Sequence, residues 1–466
     1  MNATLRAATP DTLAQTLQTR HVTMISFGGI IGAGVFVGSS GAIHTGGPGV
    51  FLTYAACGLL VFLIMRMLGE MAVAKPGKGS FAEYAALALG PWAGFVTRWL
   101  YWYFWVFTVG AETVAGAKLL HEIGLSFPVW TIGIGLVALM TATNLLSVRA
   151  YGELEFWFSL LKVTAIGAFI AIGVAFIAAF GPGPQHALNT LVGHGGLLPN
   201  GMGGLLAALP LVIFSMMGSE VATIAAAESA DPAANVARAA RTVALRILVF
   251  YVAAIAVIVA INPWDSLTVG LSPFKATLDV IGIPGSATVM SVIIITAVLS
   301  CLNSGLYITS RMLFELARNG DAPAFLARTA GNRAPVYGIL AGFVAGLAAA
   351  LAQIFVREDV FTLLASTSGD IILFVYLIIA MAQVRMRRRQ EAAGEVLPLK
   401  MWLFPWLSYA VIGAIIAVLI LLVLMPDQRN TLMLSALSVL VVFATLAIRR
   451  RFSPAPEEDG RGPAGR

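Results

Sequence analysis

The residues best suited to chemistry in this sequence are three ionisable side chains that interrupt long apolar runs. Lys162 lies in GELEFWFSLLKVTAI, Glu112 in VFTVGAETVAGAK and Glu220 in SMMGSEVATI. Charged groups are costly in an apolar medium, so such positions mark routes for protons, ions or charged substrates. A structural lysine whose stem reaches the membrane interface is the alternative for Lys162. Because burial disfavours the charged form of a lysine, we predict that Lys162 carries a proton.

The other polar groups inside apolar runs admit two interpretations each. Glu112 pairs with a polar neighbour in helix packing, or it binds a substrate amine or a second proton. Glu220 stabilises its local loop, or it takes part in proton coupling. Ser300, Asn303 and Ser304 have the i, i+3, i+4 spacing of one helix face. This polar stripe suits the wall of a binding cavity, and hydrogen bonds between helices explain it equally well.

Two stretches place glycine, serine or proline inside apolar runs. The first, SFGGIIGAGVFVGSS at 26–40, contains Gly28, Gly32 and Gly34. Its glycines serve close helix packing, or they permit an unwound segment whose free N–H groups hold a carboxylate. The second, PLVIFSMMGSE at 210–220, lies five apolar runs later. Interrupted helices at corresponding positions of two halves are typical of transporters built from inverted repeats, which favours the unwound segment.

The elements that must position these residues are long apolar runs. The chain of 466 residues is 59% hydrophobic and 11% charged, whereas about a quarter of the residues in a soluble domain are charged. Runs of roughly 20 apolar residues are the signature of membrane-spanning helices. We therefore predict an all-α integral membrane protein with two five-helix repeats and two additional helices. The twelve predicted spans are 22–42, 49–73, 92–120, 128–147, 156–180, 202–224, 242–262, 286–310, 336–356, 359–382, 403–424 and 431–448.

The distribution of charge predicts the orientation. Most of the 29 lysines and arginines fall in loops on the side of the predicted membrane that also holds both chain ends. Basic loops face the cytoplasm, so both termini are expected there, and the basic balance requires no nucleic acid partner. The first 20 residues are polar, which predicts no cleavable signal peptide. The expected boundaries are a tail 1–20, a single transmembrane domain 21–449 with repeats at about 21–180 and 200–382 and extra helices at about 402–449, and a tail 450–466.

Other classes of function lack their signatures. The five histidines lie at the ends of runs or in loops, and none pairs with another histidine or a cysteine, which argues against an enzyme and a metal site. The chain has no glycine-rich phosphate loop, so an ATP-driven pump is excluded. A channel would need a ring of charges or a repeated filter, and the pair of interrupted apolar runs argues against this class. Cys57 and Cys301 are expected to be small core residues, and no cofactor is expected.

Two charged segments are expected to lie at the cytoplasmic surface. The segment from Arg311 to Asp321 alternates charged and apolar residues and is predicted to be a solvated helix end, with a contact that gates the transport path as the alternative. Glu153 and Glu155 open an apolar run and are predicted to pair with arginines of the loops.

Several stretches between residue 20 and about residue 407 resemble one known family. They are RHVTMISFGGIIGAGVFVGSS, IMRMLGEMAVAKPGKGSFAEYA, WLYWYFWV, NLLSVRAYGELEFW, MMGSEVATIAAAESADP, SCLNSGLYITSRMLFELARNGDAP and MWLFPWL. They are similar to bacterial amino acid permeases of the amino acid–polyamine–organocation superfamily. Within that family the resemblance is greatest to permeases for γ-aminobutyrate (GABA).

The resemblance implies a LeuT-like fold with broken helices 1 and 6 around a midplane site, placed in the bacterial inner membrane. It further implies import of GABA or a related small amino acid by proton symport and alternating access, so the partners are the amino acid, protons and membrane lipid. Proline, an aromatic or another α-amino acid is the alternative substrate, and amino acid exchange is the alternative mode.

The predicted site combines the two loops with the charged residues. By resemblance, the first-helix loop gives N–H groups to the substrate carboxylate, and the sixth-helix loop turns carbonyls to its amine, with Phe214 as a lid. The expected substrate-binding residues are Ile31, Gly32, Ala33, Gly34, Phe214, Ser215, Met216, Met217, Gly218, Ser300 and Asn303. The expected proton-coupling residues are Lys162, Glu112 and Glu220.

Overall fold

The structure is a computed structural model. It describes residues 31–75, 80–146, 148–218, 220, 248–329, 334–356, 359–395, 397 and 399–452. Both predicted tails fall outside these residues almost entirely, as do Gly28 and residues 221–247. Within the described ranges the chain forms helices and short connections and contains no strand, as an all-α membrane protein requires.

The helices follow the predicted apolar runs closely. In chain order they are α1 Ala33–Phe36, α2 Gly38–Gly46, α3 Val50–Ala74, α4 Phe81–Leu89, α5 Pro91–Glu122, α6 Val129–Leu146, α7 Val148–Ala175, α8 Pro184–Gly193, α9 Gly201–Ala207, α10 Leu209–Met216, α11 Ala253–Ile261, α12 Pro273–Ile281, α13 Ser286–Arg318, α14 Val336–Phe355, α15 Val360–Ala392, α16 Trp406–Leu424 and α17 Arg429–Phe452. A π-helical turn at Phe176–Phe180 extends α7, and another at Leu248–Val252 precedes α11.

Local signals in the sequence explain where several of these helices begin. Ser80 caps α4 because its hydroxyl accepts a hydrogen bond from the N–H of Glu83. Pro91 opens α5, where its missing N–H would have had no partner in the helix. The Asp359 carboxylate accepts from the N–H of Thr362 and so begins α15. These caps satisfy N–H groups that a helix start leaves free.

Length and apolarity identify seven of the described helices as long enough to cross a membrane. They are α3, α7 with its π-helical turn, α13, α14, α15, α16 and α17. Shorter apolar helices occur at Val129–Leu145, Gly201–Met216 and Val249–Ile261. The chain is therefore a multi-pass membrane protein, and the number of twelve spans stays a prediction.

The centre of the protein is built from α5, α13 and α15. The most extensive helix contacts are those of α5 with α15 and with α13. In the most apolar part of α13 and α15, 72% and 78% of the residues are buried, whereas in α16 and α17 only 22% and 28% are. The last two helices thus lie at the periphery, and the candidate site residues lie on or against the central three.

The segment from Arg311 to Asp321 is only in part the solvated helix end that the charge pattern predicts, because Arg318 is exposed whereas Arg311 and Asp321 are buried. Arg311 is buried and lies with its guanidinium carbon 3.3 Å from the centre of the Tyr307 ring. Asp321 is also buried and accepts hydrogen bonds from Arg98 of α5 and Arg449 of α17. For Asp321 the prediction was wrong, because pairing to arginines on distant helices removes the need for water around its carboxylate.

A second buried ion pair joins α3 to the end of α15. The Glu70 carboxylate accepts from Arg387 at 3.0 Å, from Gln383 at 3.0 Å and from the N–H of Met401. Ser408 donates to Gln383 and extends the network to α16. Since each buried polar group here has a partner, the network holds three helices together at one end of the protein.

Candidate functional site

The predicted first-helix loop lies at the start of α1. Ile31 and Gly32 are not helical, and the helix begins at Ala33. Gly32 has extended backbone angles, φ −134° and ψ −153°. The N–H of Ala33 donates to both carboxylate oxygens of Glu112 on α5, at 3.0 and 3.1 Å. A backbone N–H at a helix start therefore already holds a carboxylate in this structure.

The predicted sixth-helix loop is shorter than the sequence suggests. Phe214, Ser215 and Met216 complete the last turn of α10, and only Met217 and Gly218 leave the helix. Met217 is extended, and Gly218 has φ +107°, a conformation that side-chain-bearing residues rarely adopt. Among the described residues, α10 therefore ends at Met216, and the non-helical backbone begins about three residues later than the predicted loop.

Helices α1 and α10 touch one another directly. A Cβ atom placed on Gly34 would lie 2.7 Å from the Ser215 Cα and 3.1 Å from the Phe214 ring. Phe214 is 5% exposed and packs edge-to-face on Phe361 of α15, with 6.4 Å between ring centres. The absence of a side chain at Gly34 thus allows α1 and α10 to meet beside both breaks.

Lys162 lies at the centre of a hydrogen-bonded chain between α7 and α13. Its Nζ donates to the Ser300 hydroxyl at 2.9 Å, and this hydroxyl donates to the Glu155 carboxylate at 2.6 Å. A second carboxylate oxygen of Glu155 lies 3.8 Å from Nζ. All three side chains are fully buried. The ammonium and carboxylate therefore form an ion pair away from solvent, which offsets part of the cost of burying each charge.

The prediction for Glu155 was wrong, since its described partners are Ser300, Lys162 and, at 3.5 Å, Ser159 rather than arginines of loops. The side chain of Glu153 lies outside the described residues. The sequence contained a signal that would have found Glu155. Positions 155 and 162 are seven residues apart, which is close to two helical turns, so both side chains lie on one face of α7.

The polar stripe on α13 separates into two directions. Ser300 faces α7, whereas the Asn303 side chain faces α6, where its amide oxygen accepts from Asn144 at 2.7 Å and from Thr143 at 3.1 Å. Asn303 thus serves the contact between helices that the sequence left open, and the structure does not bring it to the two interrupted helices. Ser304 is also buried.

Glu112 and Glu220 each lie beside one of the breaks. Glu112 is 1% exposed and is hydrogen-bonded to the thiol of Cys301 as well as to Ala33. Glu220 is 1% exposed and accepts from the N–H of Gly218 at 3.2 Å and from the Tyr376 hydroxyl at 3.4 Å. Sequence reasoning placed Cys301 in the core and missed its position next to Glu112.

The site therefore combines backbone donors at two breaks with buried acids and a buried lysine. Its N–H groups suit a carboxylate, its acids suit an ammonium group, and its lysine and acids suit proton transfer. Within the part of the chain that the structure describes, histidine, cysteine and acidic side chains form no cluster that could hold a metal ion.

Comparison with known proteins gives a family and its members. The family model described as "Amino acid permease" matches residues 21–454. The γ-aminobutyric acid permease of Bacillus subtilis is 45% identical over 442 residues, which cover 94% of both chains. The γ-aminobutyric acid permease of Escherichia coli is 41% identical over 449 residues, 96% of both chains. An aromatic amino acid transport protein of Corynebacterium glutamicum is 36% identical over 409 residues, 86% of this chain and 88% of its own.

Proposed function

The chain belongs to the amino acid permease family, and from this membership we propose that it imports GABA across the bacterial inner membrane by proton symport. It is a transporter and not an enzyme. The observation that supports the substrate is the identity of 45% and 41%, over nearly full length, to two relatives that are named as GABA permeases.

The buried lysine supports the coupling to protons. Lys162 has no exposed surface, and its partners include the Ser300 hydroxyl and the Glu155 carboxylate. A lysine in such a place can lose its proton without leaving an isolated charge, provided that Glu155 becomes neutral as well. Lys162 can thus take up and release a proton once in each transport cycle.

The contact of Ala33 with Glu112 suggests how substrate and proton are coupled. The ionised Glu112 carboxylate occupies the N–H that we assign to the carboxylate of the substrate. A protonated Glu112 is a weaker acceptor, so its protonation releases this N–H to the substrate. Glu220 lies beside the second break, where an acid can attract the ammonium group.

We further propose the architecture in which this site works. Twelve spans form two inverted five-helix repeats, at about 21–180 and 200–382, with two additional helices at about 402–449. Both termini face the cytoplasm. The substrate is held between Ile31–Gly34 and Met217–Gly218, with Phe214 as the lid, and alternating access exposes it to each side in turn. The two helix ends at the site support this arrangement. The start of α1 supplies backbone N–H groups, the end of α10 supplies backbone carbonyls, and each predicted repeat contributes one of them.

A second candidate is an α-amino acid as substrate. It is favoured by the 36% identity to a relative that is named for transport of aromatic amino acids. GABA carries its amine three carbons from the carboxylate, whereas an α-amino acid carries it one carbon away. The distance between the N–H groups of the first break and the acid that binds the amine decides between them.

The test is uptake of radiolabelled GABA by the purified protein in liposomes, with and without an inward proton gradient. We expect saturable accumulation above the outside concentration, which a protonophore abolishes. Unlabelled GABA competes fully, whereas proline and phenylalanine compete weakly. Stronger competition by an α-amino acid would assign the substrate to that class. Uptake only into vesicles preloaded with amino acid would show an exchanger and contradict symport.

A further inference from the structure

The hydrogen bonds around Ser300 all run in one direction. The Lys162 ammonium donates to the Ser300 oxygen, and the Ser300 hydroxyl donates its own hydrogen to Glu155. The distances of 2.9 and 2.6 Å are those of normal to short charge-assisted hydrogen bonds. A donor, a hydroxyl and an ionised acceptor in series are the arrangement through which a proton can move without any change in the heavy-atom positions.

Such a step balances in charge and in atoms. One N–H bond of the Lys162 ammonium breaks as its proton binds the Ser300 oxygen, and the original Ser300 proton moves to the Glu155 carboxylate. The products are a neutral amine, an intact hydroxyl and a neutral carboxylic acid. Because both charges disappear together, no uncompensated charge is left in the buried space.

The surroundings show which way the proton can travel. Among the described residues, the other titratable groups near this hydrogen-bonded chain include Cys301 on α13, within electrostatic range of Lys162 and Glu155, and Glu112 on α5, within range of Lys162. Glu112 and Cys301 lie at the first break. Glu155 precedes Lys162 by seven residues and so lies about 10 Å nearer the N-terminal end of α7 at the level of the backbone. In the proposed orientation this end faces the cytoplasm.

We propose that Glu155 is the acceptor that takes the proton from Lys162 through the Ser300 hydroxyl and passes it toward the cytoplasm. This inference rests on the proposed proton symport and deepens it, since it names the residue through which the proton leaves the site. The rival explanation is a fixed counter-ion, in which Glu155 only stabilises the charged form of Lys162. The two explanations differ at Ser300, because the relay needs its hydroxyl, whereas a counter-ion acts on Lys162 directly across 3.8 Å.

The experiment compares Glu155→Gln with wild type in two assays on the same liposomes. Exchange of labelled for unlabelled GABA needs no net proton movement, whereas accumulation under a proton gradient does. We expect the ratio of accumulation to exchange to fall at least tenfold in E155Q, together with the GABA-driven proton flux that an entrapped pH dye reports. An E155Q ratio and flux within twofold of wild type would overturn the proposal.

The matched control is Asp370→Asn on α15. Asp370 is a fully buried acid like Glu155, but its partners are the Ser435 and Thr431 hydroxyls on α17. We expect its ratio to equal that of wild type, because it has no place in the chain from Lys162. An equal loss in D370N would show that neutralising any buried acid uncouples the carrier, and it would contradict a specific role of Glu155.

A further pair of variants separates the relay from the counter-ion, and it also decides the matter if E155Q loses exchange. Ser300→Thr keeps the bridging hydroxyl and Ser300→Ala removes it, while both leave Lys162 and Glu155 in place. We expect a ratio at least tenfold lower in S300A than in S300T, and equal ratios would refute the relay. Failure of the wild type itself to accumulate GABA under a proton gradient would refute the proposed symport, which separates that failure from a failure of the relay.

Discussion

Gly34→Ala tests whether the two interrupted helices must touch. The added Cβ would lie 2.7 Å from the Ser215 Cα and 3.1 Å from two carbons of the Phe214 ring. Carbon atoms at rest are about 3.5–4.0 Å apart, so α1 and α10 would have to separate by about 1 Å. Ser215 Cα belongs to the backbone and cannot rotate away, unlike the end of a flexible side chain.

The expected magnitude follows from this overlap. Overpacking a close contact costs about 1–3 kcal/mol, and alanine recovers up to about 1 kcal/mol through its higher helix propensity. The net loss at the contact is then about 1–2 kcal/mol. Since about 1.4 kcal/mol corresponds to a factor of ten, we expect the kcat/KM of GABA uptake to fall about tenfold.

The assay is the initial rate of labelled GABA uptake in liposomes with matched protein content, with thermal unfolding in detergent as a second measurement. Gly135→Ala on α6 is the control, because a Cβ there meets no atom within 4 Å. We expect G135A to transport like wild type and to be equally or slightly more stable, by about 0.5–1 kcal/mol. The comparison removes the general effect of replacing a helical glycine.

One result would refute the reasoning. If G34A takes up GABA within twofold of the wild-type rate and unfolds at the wild-type temperature, then the close contact between α1 and α10 is not needed for transport. A parallel loss in G135A would instead show that the effect comes from glycine replacement as such.

Three further predictions concern charged residues. Lys162→Ala should abolish accumulation driven by a proton gradient while GABA binding, measured by titration calorimetry, is partly retained; normal accumulation would remove its proposed role. Burial alone would raise the pKa of Asp359, but hydrogen bonds from Lys118 and Thr362 outweigh it and hold the pKa below its usual range. The contribution of the ionised Asp359 to stability is therefore present above about pH 4 and is lost as the pH falls through the lowered pKa. The difference in Tm between wild type and Asp359→Asn should consequently shrink in acid. A difference that grows in acid would contradict this. Asp321→Asn should destabilise the protein by about 3 kcal/mol, because the nearly buried Arg98 loses its charged partner. Arg449 is half-exposed, so Arg449→Gln should cost less than about 1 kcal/mol in the same melting assay.

Much of the membrane architecture was predictable from the sequence because the signal is local. The composition of an apolar run is enough to predict a membrane-spanning helix. Accordingly, the observed helices begin within about three residues of the predicted starts for α3, α13, α14 and α16. The non-helical backbone at Gly32 and at Met217–Gly218 was predictable for the same reason. Gly218 has a positive φ, a conformation that residues with a side chain rarely adopt. A glycine inside an apolar run therefore indicates, from the sequence alone, where the helix can end.

The sequence alone also determined that Lys162 needed an explanation, since a lysine deep in an apolar run is costly whatever surrounds it. It could not determine the partners. Ser300 follows Lys162 by 138 positions, and only the packing of α7 on α13 brings the two side chains within 2.9 Å. The same holds for Asp321, for which the sequence predicts a solvated position. In the structure it is paired with Arg98 and Arg449, which lie on two other helices. Burial and pairing depend on contacts between segments that are distant in the sequence. Only the tertiary structure therefore decided which partners these charged residues have.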